Sequence, residues 1–238
     1  MFCIQSSITL RDCIFTENRT EDHGGGAMIF YCSPLLERCT FSYNSAGTSG
    51  GGAFVSTGDA YFSDCLFHLN TSNANAYSKG AGVFFDGQGN PSMFTCQILG
   101  NIAAESGGGI ISNAGPVLML SGCLVSGNVA SYGAGVWGHT EGSISMTNCS
   151  VNDNTGELGG GVYLNGGHDL FAGNTDIIGN TAATAPGGFI DTGSTAHLTC
   201  CAIEPEYWTG SGTIILDNEN CTISTESATW GAVKAMFR

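Results

Sequence analysis

Apolar and polar positions along this chain follow a pattern that restarts about every 26 residues. Each unit is headed by Cys13, Cys39, Cys65, Cys96, Cys123 or Cys149, at steps of 26, 26, 31, 27 and 26, and Thr175 and Cys201 continue the register. Two residues later comes Phe15, Phe41, Phe67, Ile98, Val125, Val151, Ile177 or Ile203, while the residue between varies freely. Alternation with period two predicts a short strand with one buried face. Five residues after the anchor stands an asparagine: Asn18, Asn44, Asn70, Asn101, Asn128, Asn154 and Asn180, until Glu206 breaks the rule. A short turn then leads to a glycine triplet such as Gly24-Gly25-Gly26 or Gly107-Gly108-Gly109. A second apolar strand follows it, then a polar turn, then a third apolar stretch that ends at the next anchor.

Each unit therefore predicts three short strands and three bends. Units that bury one face on the next coil stack into a solenoid with a narrow apolar interior. A coil of this length exceeds the ~18 residues of the left-handed hexapeptide type and suits a right-handed parallel β-helix. The expected fold is all-β: one right-handed parallel β-helix of about eight coils, roughly 40 Å long at ~4.8 Å per coil. It forms a single domain over residues 1–238, regular from about 11 to 203. Residues 204–238 are read as an irregular last coil or cap, Ala228–Phe237 as its covering segment, and the chain as a piece of a longer array.

Equivalent residues of adjacent coils lie one strand spacing apart, so each column of the repeat is a physical ladder. The asparagine column predicts an inward amide ladder that satisfies buried turn groups. The cysteine column predicts small buried apolar side chains, mostly free and stacked, because parallel in-register side chains point the same way and suit a bridge poorly. Glycine is expected at the triplets for positive φ and close backbone approach. Asp12, Arg38 and Asp64, each just before an anchor, should stack outward as an acid–base–acid ladder. Each of the five histidines is placed in a solvated turn or on an outer face, with Gly167-His168-Asp169 as a turn. The sequons at Asn18 and Asn70 belong to the inward ladder, whereas those at Asn148 and Asn220 face out.

Composition narrows the function classes. Charged residues are 11% of the chain against about 25% in an average domain, glycine supplies 37 of 238 residues, and net charge is −14. Phosphate contacts need clustered cations, so nucleic acid is not an expected partner, and membrane insertion by this segment is not expected either. Neither a Cys-x-x-Cys pair nor a His-Glu-x-x-His motif occurs, so no metal or cofactor is expected. No signal peptide is legible at Met1-Phe2-Cys3-Ile4-Gln5.

The tetrapeptides Phe15-Thr16-Glu17-Asn18, Phe41-Ser42-Tyr43-Asn44 and Phe67-His68-Leu69-Asn70 alternate with Gly25-Gly26-Ala27, Gly51-Gly52-Ala53, Gly108-Gly109-Ile110 and Gly160-Gly161-Val162. This alternation resembles the passenger region of the chlamydial polymorphic outer membrane proteins, grouped with pectin-lyase-like β-helices. The resemblance covers about residues 11–203. It implies an extracellular or cell-surface passenger, adhesive or a spacer, that meets a host or cell-surface protein or glycan. Later coils depart from it by carrying Ile or Val instead of Phe, and no membrane barrel follows residue 203.

Read from the residues, the acids are spread over different turns and no catalytic residue is assigned. The reading is a non-enzymatic, monomeric rod. A pectin-lyase-like polysaccharide lyase or hydrolase and a purely structural rod remain alternatives. The third coil carries an insertion at residues 71–79, and insertions map to loops on one face, often the binding face. Asn75, Tyr77 and Lys79 are the candidate binding residues.

Overall fold

In the computed structural model, which describes residues 1–73, 79–217 and 221, the chain winds as a parallel β-solenoid of about eight coils. Three sheets run its length. Sheet 1 stacks nine strands from Phe2–Ile4 to Trp208–Gly210, sheet 2 nine from Thr9–Arg11 to Thr213–Asp217, and sheet 3 eight from Ile14–Thr16 to Ala202–Ile203. The register is the one read from the repeat: Phe41 pairs with Phe67, Phe67 with Ile98, and Ile98 with Val125. Stacking in sheets 1 and 2 continues beyond residue 203, to Asp217, with Trp208 filling the interior behind Gly188. The expected cap over Ala228–Phe237 lies outside the described residues.

The three strands expected in each coil are joined in part of the rod by another element. A fourth, shorter ladder follows the asparagines, running through Arg19–Thr20, Ser45–Ala46, Thr71–Ser72 and Ile102–Ala103 and resuming as Thr155–Leu158 beside Thr181–Thr184. The asparagine ladder fixes the position of the following residues, so the chain stays in register for two more before it turns. The inward set forms one continuous core, with Phe15, Phe41 and Phe67 stacked at 4.8 and 4.7 Å before the column changes to Ile and Val.

The amide ladder is as expected. Asn128 donates from Nδ2 to the Ile98 carbonyl at 2.9 Å and to Asn154 Oδ1 at 2.9 Å, while its own Oδ1 accepts from the backbone N–H and Nδ2 of Asn101. Every hydrogen-bonding site of that side chain is used in a place water does not reach. Asn18 joins the same ladder through Asn44, and its side chain is exposed. Asn148 faces out as expected, and Asn220 lies outside the described residues.

The cysteine column is buried from Cys39 to Cys149, with Cys13 half-buried at the end. It has a second role beyond apolar filling. Each anchor thiol donates to the carbonyl two residues back, as Cys123 does to Ser121 and Cys201 to Thr199. Thr175 makes the same bond to Gly173 at 3.0 Å, which explains why threonine substitutes for cysteine there. Burial pushes the Cys39 thiol up to about 11, so it stays protonated and inert. Off this column, Cys200 is bonded to Cys221.

The outward column before the anchors is half as expected. Arg38 forms a bidentate pair with Asp12, at 2.7 and 2.9 Å, but Asp64 bonds Thr95 and Ser63 instead. Both ion partners are exposed, so the pair adds little stability.

His168 corrects the reading of its segment as a turn. It begins the strand His168–Gly173 of sheet 2 and is fully buried, because alternation runs back from Ala172 and Leu170 to it. Gly138 and Gly142 leave room for the ring. Nδ1 lies 2.7 Å from the Thr140 carbonyl, to which it donates, whereas Nε2 has no partner. Burial holds the pKa of His168 below its ordinary value. The folded state therefore favours neutral imidazole, and the unfolded chain binds the proton more readily. Stability is complete above about pH 6.5 and falls as pH drops through that value towards the lower folded pKa. Urea unfolding at pH 7.5 and 5.5 should show the wild type losing about 1 kcal/mol more than His168→Gln. Equal losses would contradict the burial of a neutral ring.

Candidate functional site

The outer face of sheet 1 carries two parallel rows. Its strands place one side chain inward and the next outward, so residues two apart share the outer face. The first outward row is apolar: Met28, Phe54, Phe84, Ile111, Trp137, Tyr163 and Phe189 are register neighbours along the axis. Phe54 stacks on Phe84 at 5.3 Å, and Trp137 lies parallel to Tyr163 at 6.0 Å. This row lies outside the solenoid, yet its middle members are buried.

A ridge of turn residues covers it. Ser49, Lys79, Ser106, Tyr132 and Leu158 bridge one another beside the rings. From the turn side, His23 stacks on Phe54 at 4.5 Å and Tyr132 approaches Tyr163 at 6.2 Å. The Lys79 ammonium lies 5.2 Å from the centre of the Trp137 ring, a cation–π contact that spans two coils. Of the three predicted binding residues, Lys79 is thus placed on the ridge. Asn75 and Tyr77 lie outside the described residues, in the insertion that leads into Lys79.

The second outward row is polar and half-buried. Asp86, Asn113, His139 and Asn165 follow one another in register, with Ser56 before them and Asp191 beyond. Asn113 donates to Asp86 at 2.7 Å and accepts from Thr140 at 3.1 Å. Asn165 Oδ1 accepts from the Trp137 indole at 3.1 Å and lies 2.8 Å from His139 Nδ1. That contact makes Nδ1 the protonated nitrogen and leaves Nε2 as an acceptor. A shallow depression lined by Gln88, Ala114, Gly115, Thr140, Glu141 and Gly166 borders the row on its turn side. Held amides, an imidazole and hydroxyls beside ring edges make a strip of fixed donors and acceptors, suited to hydroxyl-rich or peptide-like ligands.

Asp86 and Asp191 share a row but are separated by three intervening strands, or roughly 19 Å at ~4.8 Å per spacing. Glycosidase carboxylates stand ~5–9.5 Å apart, so these two do not form such a pair. Among the described residues no group of three His, Cys, Asp or Glu side chains is placed to hold a metal ion. No helix among them is long and apolar enough to cross a membrane.

Sequence reasoning missed the ring row although a signal was present. The residue after each Gly-Gly-[AIV] motif is apolar in most coils (Met28, Phe54, Ile111 and Tyr163), which breaks the strict alternation of a strand whose outer face is solvated.

No curated protein matches the chain. The family model for the right-handed β-helix region matches residues 2–128 and, in an overlapping second match, residues 81–229. With parallel coils in register along the described length, the chain belongs to the right-handed β-helix family.

Proposed function

We propose that this protein is a non-enzymatic, surface-exposed or secreted β-helical rod that binds a host or cell-surface glycan or protein along the outer face of sheet 1. The observation that carries the reading is the row Asp86–Asn113–His139–Asn165. Hydrogen bonds hold its members in the pairs Asp86–Asn113 and His139–Asn165, and the row borders the ring stack through Trp137, over which the Lys79 ammonium lies. Fixed polar groups lose little entropy on binding, which favours a preorganised strip over a mobile loop. The net charge of −14 disfavours polyanions at long range, so neutral glycans or weakly basic protein surfaces fit best. The alternation of F-x-x-N and G-G-[AIV] motifs, resembling polymorphic outer membrane protein passengers, supports the extracellular placement and the adhesive role.

The test is binding to an array of neutral and charged glycans and to intact cells. It compares wild type, a chain lacking residues 74–78, His139→Ala, and Gln97→Ala on the outer face of sheet 3. Loss of at least about tenfold in affinity (1.4 kcal/mol) is expected for His139→Ala, with Gln97→Ala unchanged. Binding that survives both the deletion and His139→Ala would move the site elsewhere. Absence of any binding by folded protein would leave the spacer reading.

A further inference from the structure

Cys3 and Cys32 stand apart from the anchor column. Both are buried, and their Sγ atoms lie 2.8 Å apart. That is well inside the ~3.5–4.0 Å at which even carbon atoms rest against each other, and within about 1 Å of a disulfide's ~2.0 Å. The two are not register mates. Cys3 pairs with Ile29 across the first two strands of sheet 1, and the backbone N–H of Ser6 reaches Cys32 Sγ at 3.4 Å. Their side chains therefore come from different columns and converge, whereas the in-register anchors point the same way. Convergence is what a bridge requires and what stacked parallel neighbours lack. The remaining contacts are weak: Cys3 Sγ lies 3.5 Å from the Ser6 carbonyl and Cys32 Sγ 3.3 Å from that of Phe30.

We propose that Cys3 and Cys32 form a second disulfide, which ties the first coil to the second as Cys200–Cys221 ties the other end of the described rod. The strands Phe2–Ile4, Thr9–Arg11 and Ile14–Thr16 are the outermost members of their sheets. A covalent link between these residues joins the first two described coils independently of the sheet ladders. In the reaction the two thiols lose two protons and two electrons as the Sγ–Sγ bond forms. A small-molecule disulfide such as oxidised glutathione takes them up as its own bond breaks to give two thiols.

The distribution of tryptic sites makes the test direct. Cys3 lies in the fragment Met1–Arg11, Cys32 in Thr20–Arg38 and Cys13 in Asp12–Arg19. The whole chain is equilibrated in glutathione buffers of rising oxidised share until Cys200–Cys221 has closed. It is then denatured in excess alkylating agent, digested without reduction and read by mass spectrometry. The expected product is Met1–Arg11 joined to Thr20–Arg38, lighter by two hydrogens than the free pair, with little Cys3 recovered alkylated. Recovery of both fragments alkylated and unlinked, once Cys200–Cys221 is bonded, would overturn the proposal. So would linkage of either cysteine to Cys13 or to another anchor.

Discussion

Asn128→Ala is expected to destabilise the protein by about 3–6 kcal/mol, enough to unfold the middle coils. The substitution removes the donor to the Ile98 carbonyl and the acceptor for both the backbone N–H and the Nδ2 of Asn101. All three groups are shut away from water, and each buried orphan costs about 1–3 kcal/mol. Asn128→Asp is expected to fare no better, because it sets a carboxylate oxygen against the Ile98 carbonyl and Asn154 Oδ1. Stability in a stacked array is a sum of neighbour terms, so a break at the fifth asparagine separates two blocks of coils. Asn152→Ala is the control. Its side chain lies on the outer face and donates to Ser150 Oγ at 2.9 Å, so a change within about 0.5 kcal/mol is expected. Urea midpoints of the three variants against wild type check the ranking.

The second large effect is expected at the triplets. A Cβ on Gly109 would stand 2.5 Å from the Gly135 carbonyl, 2.9 Å from Val125 Cγ1 and 3.1 Å from Asn128 Nδ2. The first of these is backbone of the next coil, held by the bond from Ile110 N–H at 3.0 Å, and it yields only if the coils separate. Gly109→Ala should therefore cost about 3 kcal/mol or more, for a single added carbon. Gly127 offers the contrast. Its φ is +65°, yet an added Cβ would meet nothing closer than 3.8 Å. Other coils place Glu17, Tyr43, Leu69 and Asp153 at this position with φ between 52° and 55°. Gly127→Asn should cost about 1 kcal/mol or less, since asparagine tolerates the left-handed region. Thermal unfolding of both variants separates crowding from backbone strain. Equal losses would mean that the close backbone approach at Gly109 costs no more than the left-handed backbone at Gly127.

The coil length, the register and the inward ladders were legible because each is a column that the stack repeats. Asparagine every coil means an amide above and below, and a one-residue slip would send every core side chain outward. Features outside the columns were not legible. The fourth ladder arises because the chain holds register after Asn70 or Asn101 for two residues whose types vary, such as Thr71–Ser72 and Ile102–Ala103. His168 looked like a turn because glycines precede it, yet it begins a six-residue strand and pairs with Gly142 at the start of the equally long strand before it. The contact of Cys3 with Cys32 and the bond of Cys200 to Cys221 join residues off the anchor column, where the repeat gives no pairing rule. The sheet 1 face was half legible. Its third-coil insertion was visible as an irregularity, but the contact of Lys79 with Trp137 spans two coils and depends on side-chain reach rather than spacing.

Product release from polysaccharides tests most directly the proposal that the rod binds rather than catalyses. Folded protein is incubated with a panel that includes polyuronates, with and without Ca²⁺, and the products are read by mass spectrometry. The account predicts substrates recovered at full length under every condition, from a sample that still binds in the array assay. Reproducible shortened or unsaturated products would contradict it and place a catalytic centre on a face of this β-helix.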